Sequence, residues 1–241
     1  MPLKSLLFSF ALLIALCGTT VRADVINISS PVNSITPTGV DFGNNGASDG
    51  SFTVNPPTSL VPIGSTATVK DLNFLALPLN QPFLLNSFVS FQSNPNLRID
   101  LTFIHLGVFS PAGCGSPPAA GQTCTPVVPA LVSPSNPGGL SPYNFSNISS
   151  NLSSLQFSVS GNLVNGAVST PIQGVFTAQF TVPFQTVLAG MATGAFPITS
   201  ISANFATTPA AVPEPTTMLL VGTGLVGLAA KVKRRKKQSS I

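Results

Sequence analysis

Between about Asp24 and Thr208 several runs alternate apolar and polar positions with a period of two, and the segment reads as β. Leu97, Ile99, Leu101 and Phe103 alternate with Arg98, Asp100 and Thr102, the pattern of a strand with one face buried. Leu155, Phe157 and Val159 repeat it. So do Phe176, Ala178, Phe180 and Val182, with Thr177, Gln179 and Thr181 on the other face, and Ile201, Ala203 and Phe205. Shorter β-like runs span Phe52 to Val54, Thr66 to Val69, Asn73 to Leu77 and Phe88 to Phe91. Asn165-Gly166 stands between two such runs and predicts a tight hairpin, because both residues tolerate positive φ. Val187, Leu188 and Met191, between Pro183 and Thr193, allow one short helix. Many short strands separated by Pro, Gly and Asn turns predict an all-β sandwich or barrel, and a single antiparallel β-sandwich over residues 24–208 is the favoured expectation. Asp41 to Gly50 and Pro111 to Pro142 read as surface loops, and no internal repeat is evident.

Composition narrows the picture. Only 7% of the 241 residues are charged, 44% are hydrophobic, and the chain has 20 Gly, 23 Pro and no Trp. A long helical bundle or a charge-driven disordered chain does not look like this. The net charge of +4 and pI of about 9.3 suggest a nucleic-acid ligand until the charges are located. Lys231, Lys233, Arg234, Arg235, Lys236 and Lys237 lie at one end, Lys4 and Arg22 at the other, and only Lys70 and Arg98 lie between. No charged residue occurs from Leu101 to Pro213. The body has no basic surface to follow phosphates, so nucleic acid is not an expected partner.

The two ends read as address segments. Lys4 precedes an apolar run from Leu6 to Leu16, and Val21-Arg22-Ala23 has the small residues expected before a signal-peptidase cut, with Asp24 as the first mature residue. Residues 1–23 are therefore expected to be a signal peptide. Cys17 could be read as a lipoprotein cysteine, but Leu16 before it is too large for that processing site; Cys17 leaves with the signal. Cys114 and Cys124 then remain, an even count in an exported chain, and read as a disulfide closing a Pro/Gly-rich loop. A zinc site needs four nitrogen or sulfur ligands, and His105 is the single His. At the other end Val212-Pro213-Glu214-Pro215 is followed by an apolar stretch and then the basic cluster. Residues 216–230 would make a helix of about 22 Å, short for a hydrocarbon core of roughly 30 Å. Lys231 to Lys237 act as a stop and set the tail inside by the positive-inside rule.

This arrangement, in a C-terminal segment of residues 209–241, closely resembles the PEP-CTERM sorting signal of bacterial exported proteins from Val212 to Ser239. The resemblance rests on Pro213-Glu214-Pro215, the short apolar helix at 216–230 and the basic cluster at 231–237, with a signal peptide at the opposite end. It implies recognition by exosortase, a membrane transpeptidase-like enzyme, transient anchoring in the inner membrane, and release to the cell surface or extracellular matrix. Association with exopolysaccharide in a biofilm is the implied setting. The resemblance concerns sorting and leaves the role of the body open.

Candidate chemistry is sparse. Gly222-Thr223-Gly224-Leu225-Val226-Gly227 matches a dinucleotide fingerprint but lies inside the apolar run, without the βαβ context that motif requires. Strand parity puts Asp100 and His105 on opposite faces, a poor base–orienter pair, and no nucleophile elbow accompanies them. The only Glu is Glu214, so a pair of glycosidase carboxylates is not expected. Asp41, Asn44, Asn45 and Asp49 do not follow calcium-loop spacing. Asn27, Asn144, Asn147 and Asn151 each begin an Asn-x-Ser triplet, read as Ser/Asn-rich turns with surface glycosylation as the alternative. No cofactor, metal or catalytic residue is expected. The leading expectation is a non-enzymatic surface or matrix protein; the alternative is a carbohydrate-binding or adhesive module, which a lack of Trp and a single Tyr, Tyr143, disfavours as an aromatic sugar platform. Trimmed to residues 24–215, the chain keeps Lys70 and Arg98 against Asp24, Asp41, Asp49, Asp71, Asp100 and Glu214, a net side-chain charge of −4.

Overall fold

The computed structural model describes residues 25–30, 34–43, 49–55, 60–194, 196–197 and 201–207. The chain divides into two units, Met1–Thr208 and Pro209–Ile241, and every described residue lies in the first. The signal peptide, the Pro-Glu-Pro segment, the apolar run and the basic cluster lie outside the described residues.

Eight strands form the main body: β1 (Val25–Ser30), β4 (Asp49–Asn55), β5 (Thr66–Lys70), β7 (Leu85–Phe91), β8 (Asn94–Ile104), β11 (Leu152–Asn165), β12 (Val168–Phe180) and β14 (Ile201–Thr207). Each pairs antiparallel with its neighbours in chain order, and β14 pairs with both β12 and β1. The ring therefore closes as an up-and-down barrel. The expected sandwich is corrected to this barrel. The period-two signal is the same in both architectures; what separates them is whether the first and last strands meet. Here Val25 lies opposite Ala206 and Ser30 opposite Ile201, which removes the sheet edges a sandwich would leave.

Four connections at one end of the barrel are long, and three at the other are short. The long ones carry β2 (Ser34–Thr36), β3 (Gly39–Asp41), β6 (Leu72–Asn73) and β13 (Phe196–Pro197), which form a small antiparallel sheet in the order β13-β2-β3-β6. They also carry β9 (Thr123–Cys124), β10 (Asn144–Ser149) and helix α1 (Phe184–Ala192). The helix lies inside the stretch expected to hold one, directly after Pro183. Asn73 to Leu77, expected as a strand, is extended only at its first residue. The Ala76 and Leu77 amides donate back to the Asn73 carbonyl, so the chain turns there. Val25 and Thr207 both lie at the end with short connections.

Phenylalanine fills the barrel. Phe176 stacks on Phe157 at 4.6 Å between ring centroids and meets Phe42, Phe88 and Phe205 at 5.6, 6.0 and 5.6 Å. All five are fully buried. An eight-stranded ring is about wide enough for side chains to fill, and these rings occupy that space in edge and offset contacts. A Cβ at Gly174 would run into the Phe205 ring and Val159, so glycine at that position makes room for the rings. The β11–β12 hairpin closes where predicted, but Asn165 belongs to the ladder opposite Val168 and the turn residues are Gly166 and Ala167. Of the two residues expected to supply positive φ, only Gly166 does, at 58°.

Most outward positions are Ser, Thr, Asn or Gln, with Lys70, Arg98, Asp100, Phe103, His105 and Val175 among the exceptions. Asn27 lies opposite Asn55 and Asn204, Ser29 opposite Thr53 and Ser202, and Thr68 opposite Ser51 and Ser90. A barrel spanning an outer membrane has the reverse arrangement, apolar outside and polar within. This one is built to stand in water. Replacement of Phe176 by Ala is expected to lower unfolding stability by about 3–5 kcal/mol. Replacement of the exposed Val168 should change it by less than about 0.5 kcal/mol; urea denaturation of both variants measures the contrast.

Candidate functional site

The residues that sequence reasoning singled out in the body fall into separate places. Asp100 projects outward from β8 yet is buried. Its carboxylate accepts from the Ser87 amide at 2.6 Å and from Arg98 Nε at 3.1 and 3.2 Å. Ser87 has a φ of 52°, at a register shift in the β7–β8 ladder. Asp100 thus captures the amide of a bulged residue, and Arg98 balances its charge. This is a structural role.

His105 is placed differently from the parity expectation. A bulge at Thr102 puts Phe103 opposite Ser160 and Leu101 opposite Gly161. The extra residue reverses parity beyond it. Ile104 enters the core in place of Phe103, and Phe103, His105 and Asp100 share the outer wall. Sequence alone carried no sign of the bulge, since Thr102 reads as an ordinary outward strand residue. His105 still does not pair with Asp100. Its Nε2 lies 2.7 Å from Ser160 Oγ, and its ring meets Phe103 at 4.7 Å between centroids. Partial burial lowers the imidazole pKa below 6.5 by disfavouring the charged form.

Cys114 and Cys124 form a disulfide with Cα atoms 5.0 Å apart. A loop of this length contributes about 2–3 kcal/mol by restricting the unfolded chain. The enclosed segment is also held by amides. Asn147 Nδ2 donates to Gln122 Oε1 and Gln185 Oε1 at 3.2 and 3.0 Å. Gln185 Nε2 donates to Gln122 Oε1 at 2.9 Å and to the Ser116 carbonyl at 3.0 Å. Asn147 Oδ1 accepts from the Phe184 amide at 2.9 Å, capping the first turn of α1. Asn147 is buried, so its Asn-x-Ser triplet is a packing element; Asn151 is the member of that set exposed on a turn. Tyr143 is buried as well. Its hydroxyl donates to the Gly39 carbonyl at 2.6 Å and burial raises its pKa. It ties the long β8–β10 connection to the β2–β3 hairpin and offers no sugar platform.

Asp41 and Asp71 hold backbone amides, of Gly43 at 2.9 Å and Phe42 at 2.8 Å. Asn44, Asn45 and the Asp49 side chain lie outside what is described, and among the described residues no group of three metal-ligating side chains gathers. A groove of about 440 Å³ opens on the outer wall beside His105, lined in part by Asn144, Gln156, Ser158 and Gln173. Sequence reasoning missed it. Its residues come from four separate segments, and no local pattern joins them.

An apolar, ring-filled interior and a mostly polar outer wall define a closed β-barrel, and its Cys114–Cys124 disulfide suits an oxidising compartment. No curated protein and no solved structure matches the chain. The more particular assignment comes from its far end, where the PEP-CTERM protein-sorting motif matches residues 211–235. The match takes in Val212, Pro213, Glu214, Pro215 and the basic residues as far as Arg235, and is consistent with an exosortase substrate. It points to an exported surface protein that is held in the membrane transiently before release. Among the described residues no helix is long and apolar enough to cross a membrane; the expected segment at 216–230 lies outside them.

Two outcomes follow from these contacts. Asp100→Ala should destabilise the protein by about 1–3 kcal/mol, since it leaves the Ser87 amide without its acceptor, measurable by urea unfolding. His105 is the single His, so its ring signals can be followed by NMR, and the midpoint is expected below 6.5. A folded-state pKa below the unfolded value means the unfolded chain takes up the proton first. The contribution of neutral His105 to stability is therefore present above pH 6.5 and declines as pH falls below it.

Proposed function

We propose that the chain is a non-enzymatic surface or extracellular-matrix protein, delivered by an exosortase-type system and associated with exopolysaccharide or biofilm. The motif at residues 211–235 carries this reading. Signal peptidase removes residues 1–23 between Ala23 and Asp24. The segment 216–230 then anchors the chain in the inner membrane, with Lys231, Lys233, Arg234, Arg235, Lys236 and Lys237 as the cytoplasmic stop. Exosortase acts at the Val212–Pro215 segment and passes the barrel outward. The barrel supports the rest of the reading. Its outer wall of hydroxyls and amides stays soluble with few charges, and the candidate acids Asp41, Asp71 and Asp100 hold backbone amides.

A second reading, a carbohydrate-binding or adhesive module, is favoured by the uncharged groove beside His105. It adds a ligand to the first reading and leaves the sorting unchanged.

Intact mass spectrometry of protein recovered from the medium and cell surface tests the delivery. The expected species begins at Asp24, has lost the tail near Glu214 and contains the Cys114–Cys124 bridge. The triple replacement Pro213→Ala, Glu214→Ala, Pro215→Ala should leave the protein in the membrane fraction with its tail intact. Wild-type protein found whole in the cytoplasm would reject the reading.

A further inference from the structure

The groove on the outer wall has a definite structural origin. β11 is 14 residues long, longer than either partner on its free side. β8 pairs with it from Val159 to Asn165, and β10 pairs with it from Leu152 to Gln156. Around Phe157 and Ser158 one partner leaves and the other arrives. His105 still bonds through its amide to the Ser158 carbonyl at 3.1 Å, after which the chain turns away towards Gly107 and Val108. The fork leaves a gap in the wall, and the groove occupies it.

The lining selects a ligand by its chemistry. Asn144, Gln156, Ser158 and Gln173 bring hydroxyl and carboxamide groups, which both donate and accept. Val108 and Val175 bring apolar surface, 80% and 40% exposed. No Asp, Glu, Lys or Arg lines the groove. A charged ligand would meet no counter-charge here. A purely apolar one would cover carboxamides without giving them partners, which costs free energy. A ligand with many neutral hydroxyls and apolar C–H faces satisfies both sets. The volume, about 440 Å³, falls within the roughly 300–1,000 Å³ of small-ligand clefts.

The walls are also pre-organised. β11 and β12 pair without interruption from Ser153–Phe180 to Asn165–Val168, placing Ser158 opposite Val175 and Ser160 opposite Gln173. Asn144 Oδ1 accepts from the Val108 amide at 2.7 Å and from Thr125 Oγ1 at 3.0 Å, which fixes the far rim. Ser160 holds the His105 ring. The backbone of the walls therefore needs little ordering when a ligand arrives.

We infer that this groove binds a segment of an uncharged glycan, through the side-chain amides of Asn144, Gln156 and Gln173 and the Ser158 hydroxyl. The inference rests on the surface reading above and names the ligand class and site for it. His105 reports on the groove directly, because its ring lines it and its signals overlap with no other His. The test uses the full chain in a detergent without a sugar headgroup. Ring signals are followed while cellohexaose, laminarihexaose, maltohexaose or an oligogalacturonate is added.

At least one neutral hexasaccharide is expected to shift the His105 signals saturably. The double variant Gln156→Ala, Gln173→Ala is expected to weaken that binding by about tenfold or more. Both side chains are exposed, and amide signal dispersion checks that the variant folds; Gln173→Glu is the second probe. Silence towards all three neutral hexasaccharides, unchanged affinity in a folded variant, or stronger binding of the oligogalacturonate would each overturn the inference. Such a failure with the protein still at the cell surface removes the groove assignment alone. Recovery of the whole protein from the cytoplasm removes the surface reading beneath it.

Discussion

The pairing of β14 with both β12 and β1 turns a linear series of strands into a ring, and the other features of the body depend on it. Closure gives every strand two neighbours and a single enclosed interior. That interior has to be filled, and Phe42, Phe88, Phe157, Phe176 and Phe205 fill it with rings in van der Waals contact. Phe42 is not on a barrel strand. It follows β3, and its amide is held by the Asp71 carboxylate, so the small sheet and the barrel share one core. Long connections at one end can carry β2, β3, β6, β13 and α1 because the ring beneath them does not need them for its edges.

The same ring explains how a body with so few charges stays in water. Each strand offers alternate residues to solvent, and most of those residues are Ser, Thr, Asn or Gln. The buried polar groups that remain have specific partners. Asp100 holds the Ser87 amide, Asn147 caps α1, and Tyr143 bonds to Gly39. Each fixes a place where the backbone departs from regular pairing or a long connection must be anchored. The disulfide, the Gln122–Asn147–Gln185 amides and the short pairing of β9 with β10 together give the Pro/Gly-rich excursion a defined shape.

Much of the strand inventory was legible in the chain. The runs at Phe52, Thr66, Phe88, Leu97, Leu155, Phe176 and Ile201 all fall in strands, because a half-buried strand writes its period directly into the sequence. The failures were at points where one residue changes the count. The bulge at Thr102 leaves no compositional mark, yet it sends Phe103 outward, brings Ile104 inward and moves His105 to the face of Asp100. At Gly166 the hairpin was legible but its register was off by one, since Asn165 and Gly166 can each take positive φ and only the ladder decides which does. The candidate groove was not legible at all, because it forms where β8 and β10 exchange places along β11.

What the sequence alone determined is local or compositional: period-two strands, the turn after β11, a short helix after Pro183, the pairing of two cysteines, and the crowding of basic residues at the ends. The sorting motif belongs to this group, since it is read as a linear segment. The tertiary structure alone decided that the sheet closes into a barrel, that His105 stands beside Ser160, and that Asn144, Gln156 and Gln173 meet at one groove. These depend on which distant residues become neighbours. Pattern along a chain records which way a residue faces, but contact between strands far apart in sequence is settled only when the whole core packs.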